Sequence, residues 1–538
     1  MRIRYHVGLS FLLVAAACGG AGTDDRALAA LVPSQAVAYL RVASIDDLIT
    51  PAREITAAAG QDTKTVDSAH LLAQLGGLAG DTKCIDRSRP LGFALVAPRG
   101  TPPTMLCIVP ASDPAKYAGS LQALEIAAVA HGSYVVVPLG GKYEKPDKPS
   151  HLTAQPSTCL ASLHVDVAAA AANLGVPIGA GLSAFQARMT KEMPVAGGLD
   201  GEAIVATYVD AIRKVLVSAS SLDLRADYRG GQMEFTGTLT ATAGGDMDGL
   251  SSPPVDFSKV EGSQPGKATV EVLLAADWAK LWPHLEPVMS ALFEIYPAAT
   301  RDNLRALMTN YRQMHEDMGP ILAGQGDFFG EKGPRFTVRL APRDANSLLA
   351  AIETMIAKPE YAQIGATFTS VGKADSDGAT VRDYRMKLDV DKLFAQTGTS
   401  PPQKNVMELA RQWFGADGLP VQFAGKGGRA VLTIGPPPED AVSSLSKPRG
   451  SWSEGMRSAL QHVSDCNPML IERIDIAAIM RAMRKVSGIP GASAMPEVPA
   501  DATASVGIWL GIRDREWRFG LAIDAMGLGK MTKAMKPR

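Results

Sequence analysis

Ala268-Thr-Val-Glu-Val-Leu-Leu-Ala-Ala-Asp277-Trp-Ala-Lys-Leu-Trp282 places a short apolar strand directly before an aspartate and then a run of helix formers. An Asp one step before a helix accepts an otherwise unpaired backbone N–H of the first turn, so the stretch reads as strand, cap, helix. The same order recurs at Cys159-Leu-Ala-Ser-Leu-His-Val-Asp166 and at Pro468-Met-Leu-Ile-Glu-Arg-Ile-Asp475. With Ser44 in place of the aspartate it also occurs where the alternating strand Ala36 to Val42 meets Ile45-Asp-Asp-Leu48.

Working outward from these units, each half of the chain shows a similar series. In the first half, Leu91 to Val96 and Met105 to Val109 read as a hairpin. Asp113-Pro114 opens a helix to Leu124, and Ser133 to Pro138 is a strand. Lys- and Pro-rich Gly140 to Pro149 is an exposed loop, Asp62 to Ala79, Leu182 to Met193 and Gly201 to Leu216 read as helices, and Leu222 to Leu239 closes as a hairpin around Arg229-Gly-Gly231. In the second half, Thr300 to Met318 is a helix, Pro334 to Leu340 leads through Asp344 into a helix to Ile356, and Ala366 to Val371 and Thr380 to Leu388 are strands. A final hairpin takes Ala504 to Ile512 and Glu516 to Ile523. The matched order predicts an internal duplication, with residues 27–245 as one lobe, 246–264 as a linker rich in Gly, Ser and Pro, and 265–538 as a second lobe whose repeat ends near 526. The fold class is α+β: two related lobes of mostly antiparallel sheet with helices packed on one face.

With 538 residues, 46% of them apolar and 20% charged, the chain can bury a large core in more than one domain. Lys and Arg total 54 against 55 Asp and Glu, so no basic excess favours nucleic acid as a partner. At the N-terminus, Arg2 and Arg4 precede a short apolar run from Val7 to Ala17, which has the form of a signal peptide over residues 1–17. Ala15-Ala16-Ala17-Cys18 resembles a bacterial lipobox, which implies that Cys18 is lipidated and that residues 18–26 tether the fold to a membrane. Ala15 stands where such boxes usually carry Leu, and cleavage without lipidation is the alternative. Gly19 after the Cys implies, by resemblance to Gram-negative lipoproteins, an outer-membrane location. No later segment has the roughly 18 consecutive apolar residues of a spanning helix. Cys84, Cys107, Cys159 and Cys466 could be buried thiols or could supply at least one disulfide in an oxidising compartment.

No stretch carries a specific catalytic pattern, and no cofactor or metal ligand set is expected. The eight histidines include no His-Glu-x-x-His, and His315-Glu316-Asp317 points three ways from a helix and reads as a solvated face. Asp246-Met-Asp248-Gly249 and Asp375-Ser-Asp377-Gly378 each resemble the start of a calcium loop, but Phe257 and Met386 stand where its last ligand would be, so both read as turns. Gly425-Lys-Gly-Gly428 reads as a turn between strands, since no helix follows to hold an anion. Asp166, Asp277 and Asp475 read as caps. Leu304, Leu307, Met308, Tyr311, Met314 and Met318 form one helical stripe, read as core, with a groove for an apolar ligand as the alternative, and Trp278 and Trp282 also share a face.

Val32-Pro-Ser-Gln-Ala-Val-Ala-Tyr-Leu-Arg-Val-Ala-Ser44 and Ile85-Asp-Arg-Ser-Arg-Pro-Leu-Gly-Phe-Ala-Leu95 resemble uncharacterised bacterial envelope proteins containing a domain of unknown function. The resemblance covers mainly the first 125 residues and implies no activity or site residues. The functional expectation is a non-catalytic envelope lipoprotein that binds or scaffolds, joined to the membrane through Cys18, with an unidentified protein partner or apolar ligand. A periplasmic carrier or sensor of lipids or other apolar ligands is the alternative, and an enzyme with a dispersed site comes third.

Overall fold

The structure is a computed structural model. It describes residues 23–67, 80–153, 159–192, 217–245, 247–248, 250, 268–293, 298–327, 333–392 without 364 and 377, 417–435, 441–446, 452–485 and 497–534 without 501, with a few isolated positions between 205 and 214 and between 408 and 414. The signal segment, Cys18 and most of the linker lie outside the described residues, as do Asp246, Asp377 and most of the helix expected over Asp62 to Ala79. Contacts divide the chain into two compact units. Unit 1 comprises Met1–Ala180, Lys214–Asp248 and Arg515–Ala534; unit 2 comprises Gly181–Arg213, Gly249–Asp514 and Met535–Arg538.

Unit 1 holds β1 (Ala36–Val42), β2 (Leu91–Val96), β3 (Thr104–Pro110), β4 (Val129–His131), β5 (Tyr134–Leu139), β6 (Ala161–Asp166), β7 (Ala219–Arg229) and β8 (Gln232–Ala241). Unit 2 holds β9 (Val270–Ala275), β10 (Ile321–Asp327), β11 (Arg335–Leu340), β12 (Ala366–Ser376), β13 (Ala379–Leu388), β14 (Leu419–Lys426), β15 (Arg429–Ile434), β16 (Asn467–Asp475) and β17 (Ser505–Arg513), while β18 (Glu516–Asp524) belongs to unit 1. The sheet of unit 1 runs β4, β5, β3, β2, β1, β6, β7, β8, β18, with every neighbour antiparallel. That of unit 2 runs β12, β13, β14, β15, β11, β10, β9, β16, β17, also antiparallel throughout. The strand of the quoted stretch, β9, is therefore central, between β10 and β16, and β1 sits equivalently between β2 and β6.

Helices cover both faces, not one. In unit 1, Val42, Cys107, Val109, Val135 and Val137 pack under helices Ile45–Ala58 and Pro114–Gln122 through Leu48, Tyr117 and Leu121. The opposite face, with Tyr39, Leu106, Ile108 and Val136, is closed by Leu28, Leu31 and Val32, which belong to or follow helix Thr23–Ala29. In unit 2, helices Ala298–Met318 and Ala345–Ile356 bring Met318, Leu348 and Leu349 onto Leu340, Phe423 and Ala430, while Ala441 and Leu445 cover Ala424 and Val431 on the other side. The sheets are apolar on both surfaces because alternate residues of strands such as Leu106 to Val109 are all buried. Two hydrophobic faces require two covers.

The closing strands form where the sequence placed them, but they divide between the units: β17 pairs with β16, and β18 pairs with β8 from Glu516↔Thr240 to Asp524↔Gln232. One strand, β10, carries little sequence signal because it contains Gly324 and Gly326. A Cβ on Gly324 would stand 2.9 Å from Val272, and one on Gly326 would stand 2.3 Å from Phe336 and 2.4 Å from the Arg335 carbonyl. These glycines admit a neighbour's side chain, a tertiary demand that a propensity reading counts against a strand.

Candidate functional site

The recurrent carboxylates are caps. Asp166 Oδ1 accepts from the Ala169 N–H at 2.8 Å, Asp475 Oδ1 from Ala478 at 2.8 Å, and Asp277 Oδ1 from Lys280 at 3.4 Å. Ser44, Asp113, Asp344 and Asp389 do the same for Asp47, Lys116, Ser347 and Lys392. Each side chain caps its own helix terminus, and Asp475 also pairs with Arg473 and Asp166 with His151.

The other polar motifs resolve locally. Asp375 faces Thr380 near the β12–β13 turn, where Gly378 has φ +72°, and Asp248 accepts from the Gly244 N–H at 2.7 Å. Gly427, at φ +56°, turns β14 into β15. Among the described residues, no three of His, Cys, Asp and Glu gather as a metal site requires. Leu307 of the helical stripe packs with Tyr361 and Ala366, and Met314 and Met318 pack on Leu348, so the stripe is core.

Cys84, Cys107, Cys159 and Cys466 are thiols, without a disulfide among them. Burial pushes the Cys107 thiol up to about 12, and burial together with the Asp81 carboxylate raises that of Cys84. At about pH 8 a thiol reagent should therefore modify half-exposed Cys466 in the native protein, and Cys84 and Cys107 only on unfolding. Native-state mass mapping that finds Cys107 modified as fast as Cys466 would contradict this.

His315 departs from the solvated face expected of it. Its ring stacks on Trp278 at 4.5 Å and lies 5.9 Å from Trp282, while Trp278 Nε1 donates to the Gly319 carbonyl at 3.1 Å. Burial lowers its pKa. The unfolded chain then binds more protons than the native one between that lowered value and about 6.5, so this residue's stabilisation is present above about 6.5 and is lost as pH falls through the native value. Denaturant titrations at about pH 7.5 and pH 5 should show a smaller loss for His315→Gln than for the parent; equal losses would contradict the assignment.

Among the described residues, a cleft of about 540 Å³ lies in unit 1, lined by Asp47, Thr50, Pro51, Glu54, Tyr228, Gly230, Gly231, Met526 and Lys530. That volume falls within the range of ligand sites. Three elements build it. Helix Ile45–Ala58 starts at the Ser44 cap, where Ser44 Oγ donates to Asp47 Oδ2 at 2.6 Å. The β7–β8 turn supplies Tyr228 and the two glycines, with Gly230 at φ +58° and Gly231 at φ +91°. Helix Ala525–Ala534 follows the Asp524 cap, and its Met526 N–H donates to the Gly231 carbonyl at 3.1 Å. The two helices pack closely because Gly529 lacks a Cβ, which would stand 2.8 Å from the Ala58 methyl.

Tyr228 is buried at the base and donates from its hydroxyl to Glu54 Oε2 at 2.9 Å. Burial, then the hydrogen bond to Glu54 and its charge, raises the phenol pKa well above its ordinary value, so the phenol remains a donor at neutral pH. Glu54 and Lys530 are exposed, and the lining mixes charged with apolar groups. None of these residues stands out in sequence, because the three contributing segments meet only after β7, β8 and β18 have paired.

No protein-family model matches the chain, and no curated protein matches it. Among solved structures, crystal form I of TP0453 is similar at 10% identity and a TM-score of 0.23, covering 52% of this chain and 98% of that one. Crystal form IV of TP0453 gives 10% identity and a TM-score of 0.24, covering 53% and 97%. A likeness of that size carries no argument about fold or function.

Proposed function

We propose that the protein is an exported, lipid-anchored envelope protein that works without catalysis, by binding at a membrane surface. The observation that carries this reading is the placement of the first described residues. Asp25, seven positions after Cys18, is buried against Arg41 of the central strand β1, with Arg41 Nε donating to Oδ1 at 2.7 Å. An anchor on Cys18 would thus connect almost directly to the middle of a sheet. Replacing Cys18 by Ala should abolish incorporation of labelled palmitate and move the protein from the membrane to the soluble fraction. Unchanged labelling and fractionation would sink the proposal.

Carriage of an apolar ligand is the second reading, favoured by the helical segment Ile178–Thr190, on which Phe185 is 46% exposed. Duplication, with two lobes descended from one, is supported by the shared strand order. The series β3, β2, β1, β6, β7 in unit 1 has its counterpart in β11, β10, β9, β16, β17 of unit 2, with β12 and β13 added. An experimental structure in which these strands failed to superpose would exclude it.

A further inference from the structure

We propose that the unit 1 cleft binds the zwitterionic head of a membrane lipid, a primary ammonium beside a phosphate; this rests on the reading of Cys18 as a lipid anchor. Val42, Ala161 and Ala226 form one row across β1, β6 and β7, at the end of the sheet from which Ser44 and helix Ile45–Ala58 depart. Tyr228 lies two residues beyond that row. Arg41 is one residue inside it, and its Nη1 donates to the Cys159 carbonyl at 2.8 Å, just before Leu160 receives the Ala43 N–H. The Asp25–Arg41 pair therefore fixes the start of the fold at the cleft end of the sheet. Four residues separate Cys18 from Thr23, the first of helix Thr23–Ala29, and the five steps limit the connection to roughly 18 Å of extended chain. An anchor so short keeps this end, and the cleft in it, beside the headgroups.

Asp47 and Glu54 line the cleft from one helix and Lys530 from the other, and among the described residues no ion pair joins Lys530 to either carboxylate. Unneutralised groups of both signs thus face one space, with one carboxylate in excess. A ligand of net negative charge is disfavoured, whereas an ammonium directed at Glu54 and a phosphate directed at Lys530 satisfy both. Tyr228 already donates to Glu54 and holds that carboxylate in place. A primary ammonium offers N–H donors to the carboxylate. A quaternary one offers none and is usually held by several aromatic faces, and Tyr228 is the only aromatic residue of this lining.

The purified mature protein in detergent micelles is titrated calorimetrically with sn-glycero-3-phosphoethanolamine, sn-glycero-3-phosphocholine and inorganic phosphate, and its N-terminal mass is read separately to report lipidation. Glycerophosphoethanolamine, a phosphodiester zwitterion like the lipid head, should bind, glycerophosphocholine roughly ten-fold or more weakly, and phosphate undetectably. Glu54→Gln and Lys530→Met, both at exposed positions, should each weaken glycerophosphoethanolamine by roughly ten-fold or more. No binding, equal binding of phosphate, or affinity unchanged in both variants would overturn the site. Vesicles distinguish the source: mixed phosphatidylethanolamine and phosphatidylglycerol should retain the parent more than Glu54→Gln, and pure phosphatidylglycerol should not discriminate. Binding of the free head with no such discrimination would overturn the lipid and leave a soluble zwitterion as ligand. Headgroup binding by a chain whose mass shows no lipid would refute the anchor while leaving the cleft assignment intact.

Discussion

Asp25→Ala is expected to lower the unfolding free energy of unit 1 by about 3–5 kcal/mol, because it leaves a buried guanidinium without its counter-charge. Asp25 is 9% exposed and Arg41 6%. Arg41 Nε donates to Oδ1 at 2.7 Å and Nη2 to Oδ2 at 3.4 Å, so the carboxylate spans one edge of the guanidinium, and Nη1 is taken by the Cys159 carbonyl. Without the carboxylate, one carbonyl remains to solvate a full charge beneath Tyr39 and the N-terminal helix. For a unit of this size the loss corresponds to roughly 6–20 °C in Tm. The double variant Asp25→Leu with Arg41→Met should recover most of the loss, since the attraction of a buried pair is largely cancelled by its desolvation. Denaturant titration decides the matter: a single variant within about 1 kcal/mol of the parent would mean that water reaches the pair.

Glu271→Ala is expected to cost unit 2 about 3 kcal/mol. Glu271 is 1% exposed, and its carboxylate accepts from the Ser453 N–H at 3.0 Å, from the Ser453 hydroxyl, from Gln325 Nε2 at 3.2 Å and from Arg473 Nη1 at 3.3 Å. Gln325 and Arg473 lie directly across from it on β10 and β16. Ser453 is also the cap of helix Glu454–His462, accepting from the Met456 N–H at 3.2 Å, so Glu271 positions that helix as well as satisfying the sheet. Arg473 would retain Asp475 at 3.3 Å, which keeps the cost below that of a wholly abandoned charge. Glu271→Gln preserves the shape and one acceptor and should cost less than half as much. Equal losses for Ala and Gln would show that charge, and not the hydrogen-bonded geometry, holds the cluster.

Both predictions concern residues that the sequence displays but does not explain. Glu271 stands inside the stretch that identified the strand-cap-helix unit, and Arg41 inside the first copy of it. Their neighbours told correctly where strands begin and helices are capped, because those are local requirements: an alternating run buries one face, and Asp277, Asp166 and Asp475 satisfy backbone groups within three residues of themselves. The partners of Glu271 lie 54, 182 and 202 residues away and those of Arg41 16 and 118, and no local pattern encodes them. The same holds for His315, which local spacing sets on an outward face and which Trp278 draws inward. Gly324 and Gly326 weaken the local strand signal while making close strand packing possible.

By itself, then, the sequence determined the α+β class, the antiparallel hairpins, most helix starts and the capping role of the recurrent aspartates, since each depends on interactions spanning a few residues. Only the tertiary structure decided that both sheet faces are covered, that β18 completes the sheet of unit 1, and that Asp47, Glu54, Tyr228 and Lys530 line one cleft. The physical reason is that burial and charge pairing depend on which surfaces meet, and strand pairing between segments nearly 300 residues apart brings those surfaces together.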